Sequence, residues 1–174
     1  RIPGMSAQSK VRAKFTQNND VQSFTEACES NNQRAGAHLI SIEEVDGIDE
    51  ARDFFGFGSE GRLLRVLRIR TADRTPIMVE ENYFPAGEYG FLRKADFEDT
   101  SLYDIIAASG HGDPMLTEPC ALDLEKAPAD LAPYLDVPVG EPLFCLVGRY
   151  FDADGSAMYL GKQHIVGTRY TFRI

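Results

Sequence analysis

Residues 63–85 constrain the fold most. Apolar and polar residues alternate on both sides of a short break at Asp73-Arg74-Thr75-Pro76, which is the pattern of a strand, a tight turn and a return strand. Side chains two apart on a strand share a face. Arg68 and Arg70 therefore project together, alongside Leu64 and Val66, from a segment apolar enough to be half-buried. Two guanidiniums leaving water side by side cost desolvation unless something anionic meets them. The anion is either an internal carboxylate or a ligand. Glu80 is the internal candidate, and register decides its place. A three-residue turn of Asp73, Arg74 and Thr75 sets Glu80 across from Arg68, whereas a two-residue turn sets it opposite Ile69 on the other face. A facing Glu80 leaves two readings open. One is a buried ion-pair cluster that satisfies itself. The other is an anion pocket whose guanidinium forks take carboxylate or phosphate oxygens while Glu80 accepts ligand hydroxyls.

The chain has 174 residues, of which 43% are apolar, enough for one domain with a real core or two very small ones. No apolar run approaches the ~18–20 residues that a membrane span needs, and the opening Arg1-Ile2-Pro3-Gly4-Met5 lacks a signal-peptide core. A soluble cytoplasmic protein with no membrane partner is expected. The net charge of −9 argues against direct nucleic-acid binding by this segment. Arg62, Arg65, Arg68, Arg70 and Arg74 cluster in sequence, but strand alternation splits them between faces. Cys28, Cys120 and Cys145 are far apart and include no CxxC pair, and His38, His111 and His164 are equally scattered. Free thiols in a reducing compartment, with no metal site and no cofactor, are the expectation.

Along the chain, residues 1–19 are polar and read as a linker or arm. A helix is expected over residues 21–30 with Asp20 as its N-cap, then a strand over 37–45 and a short helix over 49–55 stopped by Gly56 and Gly58. After the hairpin, a helix starts with a hydroxyl cap at Thr100-Ser101 and ends near Gly110. A strand over 115–124 and a helix over 128–135 with Pro at its start follow. A second hairpin spans residues 143–166 around Asp152-Ala153-Asp154-Gly155, and a last strand covers 169–174, either an edge strand or one that pairs across a dimer. Helices among antiparallel hairpins, without a βαβ rhythm, indicate an α+β domain with helices packed on an antiparallel sheet. Ser101 reads as an ordinary cap or as part of an anion seat, and Phe24 and Tyr103 read as core or as ligand contacts.

Taken together, these motifs resemble a known family. Arg68-x-Arg70-x-Ala72-Asp73-x-x-Pro76 followed by Glu80-x-x-Tyr83-x-Pro85 is similar to the signature of the effector-binding UTRA domain of GntR-type bacterial transcription regulators of the HutC branch. Ser23-Phe24-Thr25-Glu26, Ser101-Leu102-Tyr103, Asp154-Gly155 and the terminal Arg169-Tyr170-Thr171-Phe172 resemble further family motifs, so the match runs from about Val21 to Phe172, nearly the whole chain. The resemblance implies a fold similar to chorismate lyase, an antiparallel sheet flanked by helices, in a homodimer. It also implies an anion held by Arg68, Arg70 and Ser101, often the phosphate of a sugar phosphate, with Phe24, Thr25 and Glu80 lining the same pocket. Tyr103 and Tyr159 complete the candidate set.

The chain departs from the family on its final hairpin. Tyr159 stands where an acidic residue is common, Ile165 near a common aromatic, and Gly161 and Lys162 near a serine and an arginine. A smaller anion, a different sugar phosphate or a ligand stacked on Tyr159 all fit these changes. The resemblance places operator-DNA binding in a winged-helix domain absent from this sequence, whether removed or naturally lost, with residues 1–19 as the arm that follows it. The expected function is sensing of a small anionic metabolite, which then modulates that domain, and not catalysis. The alternatives are a chorismate-lyase-like enzyme and a purely structural dimerisation domain.

Overall fold

A computed structural model describes residues 10–14 and 23–173. The strands are β1 (Val11–Lys14), β2 (Ala35–Val45), β3 (Leu63–Ala72), β4 (Thr75–Pro85), β5 (Met115–Leu116), β6 (Ala121–Lys126), β7 (Pro142–Phe151), β8 (Ala157–Val166) and β9 (Tyr170–Arg173). The helices are α1 (Phe24–Ser30), α2 (Asp49–Phe55), α3 (Leu102–Ala108) and α4 (Ala132–Leu135), with a 3-10 turn at Gly90–Lys94. Seven strands form one sheet in the order β2-β3-β4-β8-β7-β5, with β6 also paired to β7. All pairings in this sheet are antiparallel. The result is the α+β architecture expected from the sequence. Among the described residues no helix is long and apolar enough to cross a membrane.

Alternation along the central strands gives the sheet two buried faces, and each is covered by helices. On the first face, α1 packs with β1 and β9 against Ala72, Met78 and Ile165, while α3 packs Leu102 and Ile106 against Leu64, Val66 and Phe84. On the second face, α4 sets Leu131, Ala132 and Leu135 on Leu67, Val79, Leu143 and Val166, and α2 sets Ala51 on Leu63, Tyr83 and Leu160. Such double coverage leaves β3 and β4 buried along nearly their whole length, polar residues included.

The first hairpin resolves the register question in an unforeseen way. Its turn has two residues, Asp73 and Arg74, closing Ala72 on Thr75. An extra residue, Ile77, then enters β4 as a bulge between the Thr71/Pro76 and Arg70/Met78 pairs, and this restores Arg68 opposite Glu80. A two-residue turn therefore coexists with the facing arrangement. Asp73 and Arg74 both adopt positive φ, 47° and 69°. That matches a hairpin turn of the kind that prefers glycine in its second position. Arg74→Gly should therefore raise stability by about 1 kcal/mol, measured as a higher urea midpoint at unchanged m-value.

Several boundaries differ from the expectation. The first helix is capped by Ser23, whose side chain accepts from the Glu26 amide while the Glu26 carboxylate accepts from the Ser23 amide. The expected cap, Asp20, lies outside the described residues. Val11–Lys14, inside the stretch read as an arm, form a strand parallel to β9 with Val11 and Ala13 fully buried. One edge of β9 is thereby taken within the chain. The expected strand over 115–124 is two pieces, β5 and β6, and α4 is a single turn beginning at Ala132. The helix stop at Gly56 holds, with a left-handed C-cap at φ 65°.

Candidate functional site

Arg68, Arg70 and Glu80 share the first face of the sheet, because Arg68 sits directly across from Glu80 and Arg70 lies two residues along. The Arg68 Nη2 donates to Glu80 Oε2 at 2.6 Å, and the Arg70 Nη1 donates to Glu80 Oε1 at 3.3 Å. One carboxylate thus bridges two guanidiniums, and the shorter bond goes to Arg68. Burial pushes the Glu80 carboxyl up, but Arg68 and Arg70 more than offset this, so Glu80 is held ionised below the usual carboxylate range. Burial lowers the pKa of Arg70. Glu80 opposes that shift, Arg68 adds to it, and the balance falls below the ordinary guanidinium value.

The two arginines are not equivalent. Arg68 has no exposed surface. It donates to the Thr100 carbonyl at 2.9 Å and lies 5.6 Å from the Phe97 ring centre. It stands behind the cavity wall, not in it, which corrects the expectation of two forks presented side by side to a ligand. Arg70 does line the cavity. Its Nη2 donates to Thr25 Oγ1 at 3.0 Å, its Nε to the Gly36 carbonyl at 3.2 Å, and its guanidinium sits 4.8 Å from the Phe24 ring centre. A guanidinium has five N–H groups. These bonds and the one to Glu80 use three of them and fix the plane of the fork.

The cavity lies between α1, α3 and the sheet. Phe24, Thr25, Arg70, Glu80, Ser101, Tyr103 and Tyr159 line it, so seven of the eight residues singled out from sequence converge, with Arg68 directly behind. Counted with the solvent at its mouth, the recess measures about 620 Å³. Ser101 begins α3 without a side-chain cap bond, so capping does not consume its hydroxyl.

The lining also holds Asn82, Tyr150 and Gln163, which supply further polar groups and which sequence reasoning missed, together with Gly148, also missed, and Gly161, noted in sequence only as a departure from the family. Three of these lay within reach of the strand period, since Asn82 is two residues from Glu80, and Gly161 and Gln163 follow Tyr159 on the same face. Tyr150 required the register of the second hairpin, which pairs it with Tyr159. Those two rings stack at 4.2 Å and 9°, and Phe84 packs on Tyr159 at 5.0 Å. Of the ligand types left open by the sequence, one stacked on Tyr159 would share that ring with Tyr150, which already stacks on it. Burial raises the pKa of Tyr103, Tyr150 and Tyr159, which keeps all three phenols protonated and able to donate.

Gly148 and Gly161 are cross-strand partners, and their missing side chains leave the cavity floor open. A Cβ at Gly161 would lie 3.0 Å from Asn82 Oδ1 and 3.3 Å from a ring carbon of both Tyr150 and Tyr159. Gly161→Ala should therefore weaken binding of any ligand in this cavity roughly tenfold or more, read by calorimetric titration, while the circular dichroism spectrum stays that of the parent.

The UTRA domain family model matches residues 30–171. The chain belongs to the UTRA domain family. The HTH-type transcriptional repressor NagR of Bacillus subtilis (strain 168) is 27% identical over 152 residues, covering 87% of this chain and 62% of its own length. The chain thus spans about three-fifths of that curated relative. Among solved structures, PhnF from Mycobacterium smegmatis superposes with a TM-score of 0.80 at 25% identity, over 94% of this chain and 70% of PhnF. The separate effector domain of the same PhnF gives 0.78 at 24% identity, over 94% of this chain and 97% of that domain. The UTRA fold is therefore shared along nearly the whole chain, and the curated relative is an HTH-type transcriptional repressor.

Proposed function

We propose that this UTRA domain senses a small anionic metabolite, a phosphorylated sugar or an organic acid, in the cavity beside Arg70. The observation that carries this reading is the local charge balance. Two buried guanidiniums share one carboxylate, and that carboxylate sits closer to Arg68 than to Arg70. The cluster therefore holds one surplus positive charge at a cavity wall, where an anion is worth more than in water. Around it, Ser101, Asn82, Tyr103, Tyr150, Tyr159 and Gln163 offer the hydroxyl and amide groups that orient a polar small molecule.

Occupancy would bias a homodimer between geometries that differ in how a winged-helix domain, outside this sequence, engages operator DNA. The ligand can shift that equilibrium by no more than its difference in affinity for the two states. The cavity also supports a sensor over an enzyme. Glu80, the carboxylate lining it, is tied to two guanidiniums and held ionised, so it is a poor proton donor. Incubation with chorismate should yield no 4-hydroxybenzoate. The presence of a cavity at Arg70 likewise favours sensing over a purely structural ion-pair cluster. A melting-temperature screen against phosphorylated sugars and organic acids at millimolar concentration tests the reading. A rise with at least one anion, and none with its neutral parent, is expected. A flat response across the whole panel would defeat it.

A further inference from the structure

On the opposite face of the sheet, three residues that look unrelated in sequence come together. Cys145 on β7 pairs directly with His164 on β8, and Glu125 on β6 reaches the same point from the next strand. One donor atom from each of these side chains lies within 4.8 Å of the others. We propose that Glu125, Cys145 and His164 bind one thiophilic divalent cation of the zinc type through the carboxylate Oε1, the thiolate Sγ and the imidazole Nδ1, with water completing the tetrahedron.

The donor set is one that zinc takes, and its bonds of ~2.0–2.3 Å hold neighbouring donors ~3.3–3.9 Å apart. The Nδ1 of His164 now lies 2.5 Å from Glu125 Oε1, so that contact must widen for the cation to replace the proton between them. Glu125 has the freedom to yield, since it stands on an edge strand with its side chain 29% exposed. The same exposure gives the ion a path in. The other ring nitrogen is already arranged as a supporting contact. His164 is nine-tenths buried, its Nε2 has no hydrogen-bond partner, and the nearest carboxylate oxygen is Glu81 Oε1 at 3.8 Å. Glu81 is itself anchored by Arg65 at 2.6 Å. A histidine ligand whose second nitrogen faces a fixed carboxylate is the usual second layer of a metal site.

A metal-bound Cys145 is a thiolate and a metal-bound His164 carries no proton on Nδ1, so any proton on either atom leaves to solvent as the dication enters. The Arg65–Glu81 pair and the Lys162–Glu50 pair at 3.3 Å, also on this face, remain as they are. The scattered cysteines and histidines had argued against metal binding, but spacing motifs are diagnostic only when neighbouring residues supply the ligands. Here each donor comes from a different strand.

Titration of the chelator-treated chain with cobalt(II) chloride tests this proposal. A thiolate-to-cobalt absorption band and tetrahedral d–d bands should saturate at one equivalent and disappear on addition of zinc chloride. Cys145→Ser should remove the thiolate band, Cys120→Ser should leave it intact, and Glu125→Gln should weaken binding at least tenfold. Glu125 is at an edge and partly exposed, so its variant keeps the test informative even if Cys145→Ser fails to fold. Absence of a thiolate band with the parent chain, its survival in Cys145→Ser, or unchanged affinity in Glu125→Gln would overturn the proposal.

Discussion

Replacing Glu80 with Gln should lower the unfolding free energy by about 3–5 kcal/mol, a large share of the roughly 5–15 kcal/mol that holds a domain together. The variant keeps the shape of the side chain and removes the charge that lets Arg68 and Arg70 coexist out of water. Arg68, fully buried, cannot turn to solvent, and its Nε already has no partner. At this chain length the loss corresponds to a fall in melting temperature of roughly 6–20 °C. The variant also carries a pH signature. The folded-state pKa of Glu80 lies below its ordinary value of 4.5, so its contribution is fully present above about pH 4.5 and is lost as pH falls through the lower, folded value. The acid limb of the parent stability curve should be steeper than that of Glu80→Gln below pH 4.5, measured by urea unfolding at a series of pH values. A melting temperature within a degree of the parent's at neutral pH would show that the two guanidiniums do not depend on this carboxylate.

The second large effect is on binding. Arg70→Ala should abolish the stabilisation that an anionic ligand gives the parent. For a ligand at one hundred times its Kd that stabilisation is about 2.7 kcal/mol. Arg70→Lys should restore little of it. The fork of Arg70 is oriented by Thr25, Gly36 and Glu80 at once, and a single ammonium cannot reproduce those directions while presenting a donor to the cavity. Arg68 should behave differently. It lies outside the lining, so its replacement should cost stability more than it changes ligand contacts. Calorimetric titration of both variants, with urea unfolding alongside, separates the roles. Equal loss of affinity and stability at both positions would contradict the division of labour between them.

The fold was legible where local chemistry and burial agreed. Alternation marked both hairpins, Gly56 marked a helix stop, and the shared face of Arg68 and Arg70 followed from the strand period alone. Most of the candidate set followed from the family resemblance; strand spacing alone supplied only the shared face of Arg68 and Arg70. What stayed hidden depended on register and on distant pairing. The bulge at Ile77 has no local signal, yet it places Glu80 opposite Arg68. A second irregularity between Leu39 and Ser41 shifts the faces of β2 midway, so its apolar residues do not keep simple alternation. Tyr150 reached the cavity through the second hairpin's register. Val11–Lys14 looked like an arm because four residues are too few to show a pattern, and their strand exists only because β9 lies beside them. The inequivalence of Arg68 and Arg70 arises from what packs over them, Phe97 and the Thr100 carbonyl on one side and the cavity on the other.

The central claim is that an anion seats beside Arg70, and anomalous diffraction from a crystal of this chain soaked in selenate tests it most directly. A selenium peak placed so that selenate oxygens accept from an Arg70 Nη and the Ser101 hydroxyl is the predicted result. A crystal whose selenium peaks all lie on surface arginines, with the space beside Arg70 holding water alone, would contradict it.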